Sequence, residues 1–220
     1  MKHIRFENWE HYKVYQAFEN GCNPFYSINF RLDVTRLKRY CSHNGLSFYH
    51  TLCYLSTEAI NDVSAFHYCV QNHNLYYLDE RFASFTERTQ DSEQYKIITL
   101  PKCTSLAQFC EKAAQSKVNQ QDFIDESLEG EHLLYLSCIP WVDITAMTNA
   151  HAASLPEESE SSIPRVCWGK YICSNERYEL GYSIEVNHRF VDGYHIGLFA
   201  KSLTEHIEAL PLPEKEERRS

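Results

Sequence analysis

Hydrophobic positions change their spacing several times along this 220-residue chain, and each change predicts an element. Trp9, Tyr12, Tyr15 and Phe18 recur at three-residue steps, which puts four rings on one face of a helix over Trp9–Asn20, stopped by Gly21. From Pro24 the run FYSINFRLDVT is rich in β-branched and aromatic residues and alternates from Ile28 to Val34, as a strand does. A helix over Thr35–Ser42 follows. Phe48, Leu52, Leu55 and Ile60 then mark a core helix over Ser47–Asn61, which Asn61 and Asp62 end.

Beyond it, Leu75–Leu78 and Arg81–Thr86 read as short strands parted by the turn-forming Asp79 and Glu80. Tyr95–Leu100 is a further strand leading into a helix over Ser105–Val118, and QQDFIDESLEGEH is a surface loop or frayed helix. LLYLSCIPWVDITAM reads as a strand interrupted by Pro140, and the polar, acidic residues 149–162 as a mobile loop. Two strands, Arg165–Cys173 and Tyr178–His188, precede a last helix from Tyr194 to about Leu210. Residues 1–210 are expected to form a single domain and 211–220 a disordered tail. Irregular alternation of strands and helices without a repeat predicts an α/β or α+β sandwich.

Composition narrows the function. The formal charge of −9 and scattered Lys and Arg leave no basic stripe, so no nucleic-acid partner is expected. The opening MKHIRFENWEHY lacks an apolar leader core and no long apolar run follows, so a cytoplasmic protein with no membrane association is expected. The 9 cysteines are odd in number and never spaced C-x-x-C, which favours free core thiols over disulfides or a zinc site.

Candidate chemistry concentrates in YELGYSIEVNHRFVDGYHIGL, Tyr178 to Leu198. It runs from strand through a short loop to a helix. His188 falls at the strand's end, where a rigid backbone can aim a ring into a cleft, while Asp192 suits an N-cap and Gly193 a tight approach to the helix. Taken alone, His-x-x-x-Asp-Gly is a weak motif. His188, Asp192 and His195 are also metal-ligand types whose i, i+4, i+7 spacing would suit one helix face, although the strand and Gly193 argue against a continuous helix and no metal is expected.

HRFVDGYH, together with the upstream IPWVDITAM and RVCWGKY, resembles the chloramphenicol acetyltransferases, whose signature is a His-His-x-x-x-Asp-Gly-Phe-His segment near the C-terminus. ENWEHYKVYQAF is similar to that family's opening helix, FYSINFRLDVT to its first strand and SFYHTLCYL to its Phe-Tyr-Pro helix, so the resemblance covers essentially the whole chain. It implies an α/β two-layer sandwich, a mixed β-sheet with helices packed on it, assembled as a homotrimer with active sites between subunits. Acetyl-CoA is the implied donor, a small-molecule hydroxyl the acceptor, and antibiotic resistance the associated trait.

Carried over by position, His188 takes the place of the catalytic base and Asp192 that of an aspartate that holds the site together. Asn187 replaces the first histidine of the pair, which is not the base. Lys170 and Tyr171 match coenzyme contacts to phosphate and adenine, and Tyr49 a wall of the pantetheine tunnel. Tyr26 and Thr86 match acceptor-pocket positions. An imidazole in water is mostly uncharged at pH 7, as a general base must be.

Departures from the pattern are equally specific. Ala146 stands where the family's serine hydroxyl stabilises the oxyanion, a loss worth about 2.7–4 kcal/mol unless another donor substitutes. In an extended strand Thr148 shares the Ala146 face and Thr145 does not, which makes Thr148 the expected substitute. His11 replaces an arginine that pairs with the signature aspartate, Cys167 a threonine that holds water, and Arg88 follows Thr86 in a normally apolar pocket. The reading is an O-acetyltransferase with an altered acceptor; the alternative is a catalytically impaired or non-catalytic small-molecule-binding trimer. Lipoyl-type acyltransferase cores share a related segment, but this chain is short for their usual lipoyl domain and linkers.

Overall fold

The computed structural model describes residues 1–18, 23–89, 92–149 and 161–212. Among these residues ten strands are present: β1 (Lys2–Ile4), β2 (Phe25–Asp33), β3 (Tyr68–Gln71), β4 (Asn74–Tyr77), β5 (Phe82–Arg88), β6 (Tyr95–Leu100), β7 (Leu133–Ile139), β8 (Arg165–Gly169), β9 (Ile172–Ser174) and β10 (Arg177–Asn187). The same residues include the α-helices α1 (Tyr12–Ala17), α2 (Thr35–Asn44), α3 (Phe48–Asn61), α4 (Leu106–Asn119) and α5 (Gly193–Glu208). The main sheet runs β2-β10-β8-β7-β5-β6, with β9 beside β10, and a small sheet runs β1-β4-β3. Parallel pairing of β5 with β7 and of β7 with β8, among otherwise antiparallel neighbours, makes the large sheet mixed. This is the expected sheet with helices packed on it.

The two faces of β10 explain the layering. Leu180, Tyr182, Ile184 and Val186 belong to the hydrophobic core, and the Tyr182 hydroxyl meets Ser56 Oγ of α3 at 2.8 Å. Their alternates, Gly181, Ser183, Glu185 and Asn187, are buried on the other face. The irregular segment from Val142 to Asn149 lies across that face, and two glycines let it approach: a Cβ on Gly169 would sit 2.7 Å from Ile144 N and Val142 O, and one on Gly181 would collide with the Ile144 carbonyl. Arg81, 1% exposed, donates to the carbonyls of Phe66, Glu131, Leu133 and Ser162 and to Ser162 Oγ. Burial lowers its pKa to about 10, and the bonds tie the start of β5 to the entry of β7.

Several boundaries differ from the pattern-based expectation. The opening helix is only Tyr12–Ala17, because a 3-10 turn at Phe6–Asn8 leaves Trp9 extended at φ −97 and ψ 117. The expected strand Arg165–Cys173 is split into β8 and β9, since Lys170 leaves the ladder and donates its N–H to the Val142 carbonyl. The strand interrupted by Pro140 ends at Ile139 instead of resuming, and the last helix stops at Glu208. Residues 150–160 of the expected mobile loop and 213–220 of the expected tail lie outside the described residues.

Candidate active site

β10 and α5 place His188. Its backbone N–H donates to the Pro24 carbonyl at 2.9 Å, just ahead of β2, so the strand's last register continues into the loop. The half-buried ring stacks on Phe18 at 4.4 Å with 15° between planes and lies 4.7 Å from Tyr26 on its other flank. Buried Nδ1 has no hydrogen-bond partner among the described residues. Tyr26 donates its hydroxyl to the Val191 carbonyl at 3.3 Å, and burial followed by the charge of Asp192 pushes its pKa up to about 12. One short loop thereby connects the imidazole, the phenol and the carboxylate.

Asp192 is the N-cap of α5. Its Oδ1 accepts from the N–H groups of Tyr194 at 3.0 Å and His195 at 3.3 Å. His195 reciprocates, its Nδ1 lying 3.2 Å from the Asp192 N–H, which completes a capping box. Pattern reading places Asp192 correctly at a cap but does not find the part played by His195, for which a Ser/Thr…Glu/Gln template has no slot. Gly193 is not needed for close approach: a Cβ there would meet nothing within 4 Å. Nor do His188 and His195 share a helix face, since one ends a strand and the other lies in the first turn of α5.

His11 reaches the same cluster from the start of α1, with its ring 5.7 Å from that of His195. Burial, reinforced by the neighbouring histidines, lowers its pKa against the pull of Asp192, so it does not reproduce a permanent cation. Asn187 accepts the Arg189 N–H at 2.9 Å and donates to the Ser161 carbonyl at 3.0 Å, fixing the turn beside His188.

The remaining candidates lie elsewhere. Thr86 on β5 faces Ser137 across 3.2 Å, and Tyr49 donates to the Thr86 carbonyl at 2.6 Å while packing on Trp168 and Phe85. Both line an open cleft of about 890 Å³ with Arg88, Glu93, Tyr95 and Trp141. The register puts Ser137 level with Cys167 and Cys167 level with Ser183. Thr86 is therefore three strand spacings across and five residues along from His188, about 14 by about 17 Å and so about 20 Å apart. Lys170 and Tyr171 are at that same far end; Tyr171 contacts Phe48 and Tyr178 and lies under Lys38 Nζ at 5.8 Å.

The segment carrying Ala146 is not a ladder strand, so the alternation argument for Thr148 does not hold; Ala146, Thr145 and Thr148 are all exposed. It is pinned instead by Met147 N–H to Asn29 Oδ1 at 3.0 Å and Asn149 N–H to Glu185 Oε2 at 3.1 Å. Cys167 is buried, with its thiol pushed up to about 11, and its Sγ lies 3.9 Å from the Trp168 carbonyl.

The fold is shared with solved structures. A chloramphenicol acetyltransferase structure superposes with TM-score 0.81 at 19% identity, covering 94% of this chain and 99% of that one. The cubic core of the pyruvate dehydrogenase multienzyme complex follows at TM-score 0.62 and 16% identity, covering 95% and 90%. In sequence, a chloramphenicol acetyltransferase of Clostridium perfringens is 27% identical over 200 residues, 89% of this chain and 90% of the relative. Residues 1–204 match the family model for chloramphenicol acetyltransferase, and the chain belongs to that family.

Proposed function

We propose that the protein is an acetyl-CoA-dependent O-acetyltransferase in which His188 removes the proton from an acceptor hydroxyl as the oxygen attacks the thioester carbonyl. The acetyl group passes from sulfur to oxygen, and the proton held by His188 goes to the departing thiolate. The observation that carries this reading is the fixation of the His188 ring between Phe18 and Tyr26 at the end of a paired strand. A base held in one orientation lowers the entropic part of the barrier. Asp192 holds the loop, Lys170 and Tyr171 supply a cation and an aromatic face for the nucleotide, and Tyr49 flanks the pantetheine path. Tyr26, Thr86 and Thr148 belong to the acceptor side.

The separation of about 20 Å between His188 and Thr86 supports a second element of the proposal. One chain does not bring the base to the cleft, so the site is completed between copies, in a homotrimer acting in the cytoplasm. Among the described residues no helix is long and apolar enough to cross a membrane. A second reading, an impaired or non-catalytic binding trimer, is favoured by Ala146, whose methyl cannot donate to an oxyanion.

Thiol release from acetyl-CoA with chloramphenicol and a panel of other hydroxyl acceptors separates the two. Release that needs His188 supports the transferase, with chloramphenicol as acceptor giving the resistance-type activity. Ligand binding without release across the panel favours the binding trimer.

A further inference from the structure

The geometry points to His195 as a positioning residue: we propose that its uncharged imidazole, backed by His11, locks the Asp192 cap and through it the ring of His188, and that protonating it releases the lock. This rests on His188 being the base. The argument begins with one nitrogen. His195 Nδ1 lies 3.2 Å from the Asp192 N–H and 3.1 Å from Asp192 Oδ1. It can accept from that N–H only while it carries no proton. Once protonated, the same nitrogen becomes a donor to Oδ1, which already accepts two backbone N–H groups, and the Asp192 N–H loses its acceptor. An imidazolium in the first turn also opposes the positive end of α5.

The consequence reaches His188 through two contacts. Val191 precedes the cap, is buried, and its carbonyl accepts from Tyr26. The Tyr26 ring in turn flanks His188. The groups that His195 itself meets are His11 before α1, Asp192 on the loop and Tyr194 beside it on α5; beyond them, Tyr26 on β2 feels the charge of Asp192, His188 adjoins His11, and Arg189 lies further back against Tyr15. His11 adds a second constraint. Its Nε2 is buried without a partner among the described residues, and burial lowers its pKa, so it offers His195 an uncharged neighbour at neutral pH. The permanent arginine–aspartate pair that the family resemblance implies is thus replaced by a capping box whose acceptor is a histidine nitrogen.

The substitutions His195→Gln and His195→Leu separate positioning from simple packing, because glutamine at this helix position completes a capping box without titrating. At pH 8 His195→Leu is expected to lower kcat about tenfold with KM for acetyl-CoA within about twofold, and His195→Gln to recover most of that loss. On acidification, kcat/KM of the wild type is expected to fall more steeply than that of His195→Gln. Equal slopes, or no rescue by glutamine, overturn the proposal. Melting temperature at pH 8 and pH 5.5 reads the cap without turnover. A larger acid loss in the wild type than in His195→Gln supports it, and equal losses overturn it. Absence of thiol release from the wild type would sink the acyl-transfer reading, while the melting comparison still decides the cap.

Discussion

The two ends of the large sheet are built in opposite ways. At one end His188 is closed in by rings from two elements, a main-chain bond to Pro24 and a capped helix. At the other, Thr86 and Tyr49 open onto a cleft rimmed by Trp141, 67% exposed, and Tyr95, 52% exposed. Under the proposed function, the closed end fixes the base, and the open end offers surface for a ligand and for a second chain. Large exposed aromatic residues are typical of surfaces that become buried on association. On the proposed reading, each chain carries half of each site.

That contrast can be broken or sharpened experimentally, beginning with the largest effect. Ala146→Ser restores a hydroxyl donor to the segment from Val142 to Asn149 and is expected to raise kcat about 10²–10³-fold, by about 2.7–4 kcal/mol, if no other group serves the oxyanion. Steady-state thiol release checks this, and an unchanged kcat would mean that Thr148, another donor or water already serves. Next comes Glu87, buried behind the open cleft and joined to His50 at 2.8 Å and Lys117 at 2.7 Å. Burial pushes its carboxyl up, but the hydrogen bonds from His50 and Lys117 outweigh that and hold its pKa below the ordinary value. Its contribution to stability is therefore complete above the ordinary carboxylate pKa and lost as pH falls through the lowered one. Glu87→Gln should cost roughly 3 kcal/mol in denaturant titration at pH 7, and the deficit should shrink toward pH 3.

A smaller effect is expected at Gly181. An alanine Cβ would collide with the Ile144 carbonyl, so the crossing segment must shift. Gly181→Ala should destabilise by about 1–3 kcal/mol in urea unfolding, with Gly169→Ala in the same direction. Unchanged stability in both would show that the segment does not lie against the sheet.

Much of this arrangement was legible in the residues, and what was not has a common cause. Tyr95–Leu100 matches β6 residue for residue, and the helix begun by Ser47 is α3, whose first turn donates the His50 N–H to Ser47 Oγ. The strand, loop and helix around His188 were readable because period, cap and breaker all lie within a short stretch. β1 and β3 were missed: each is three or four residues long, too short for alternation to show. The Glu87 triad was also invisible, because its members are 37 and 30 residues apart and lie on separate elements. Likewise Phe18, read as a helix-face residue, stacks on His188 from far along the chain. Arg81 looked like the polar start of a strand, and only the assembled fold shows carbonyls converging on it.

The central claim, a site shared between copies with His188 as its base, is tested most directly by mixing two inactive chains. His188→Ala removes the base, and Thr86→Trp fills the cleft while leaving His188 intact. Each variant alone is expected to release thiol at least about 10²-fold more slowly than the wild type, with unchanged far-ultraviolet circular dichroism. Co-expressed in equal amounts, they should recover about a quarter of wild-type activity, because random assembly pairs an intact base with an intact cleft in about one site in four. A mixture as inactive as its components would contradict the account and return the site, if there is one, to a single chain.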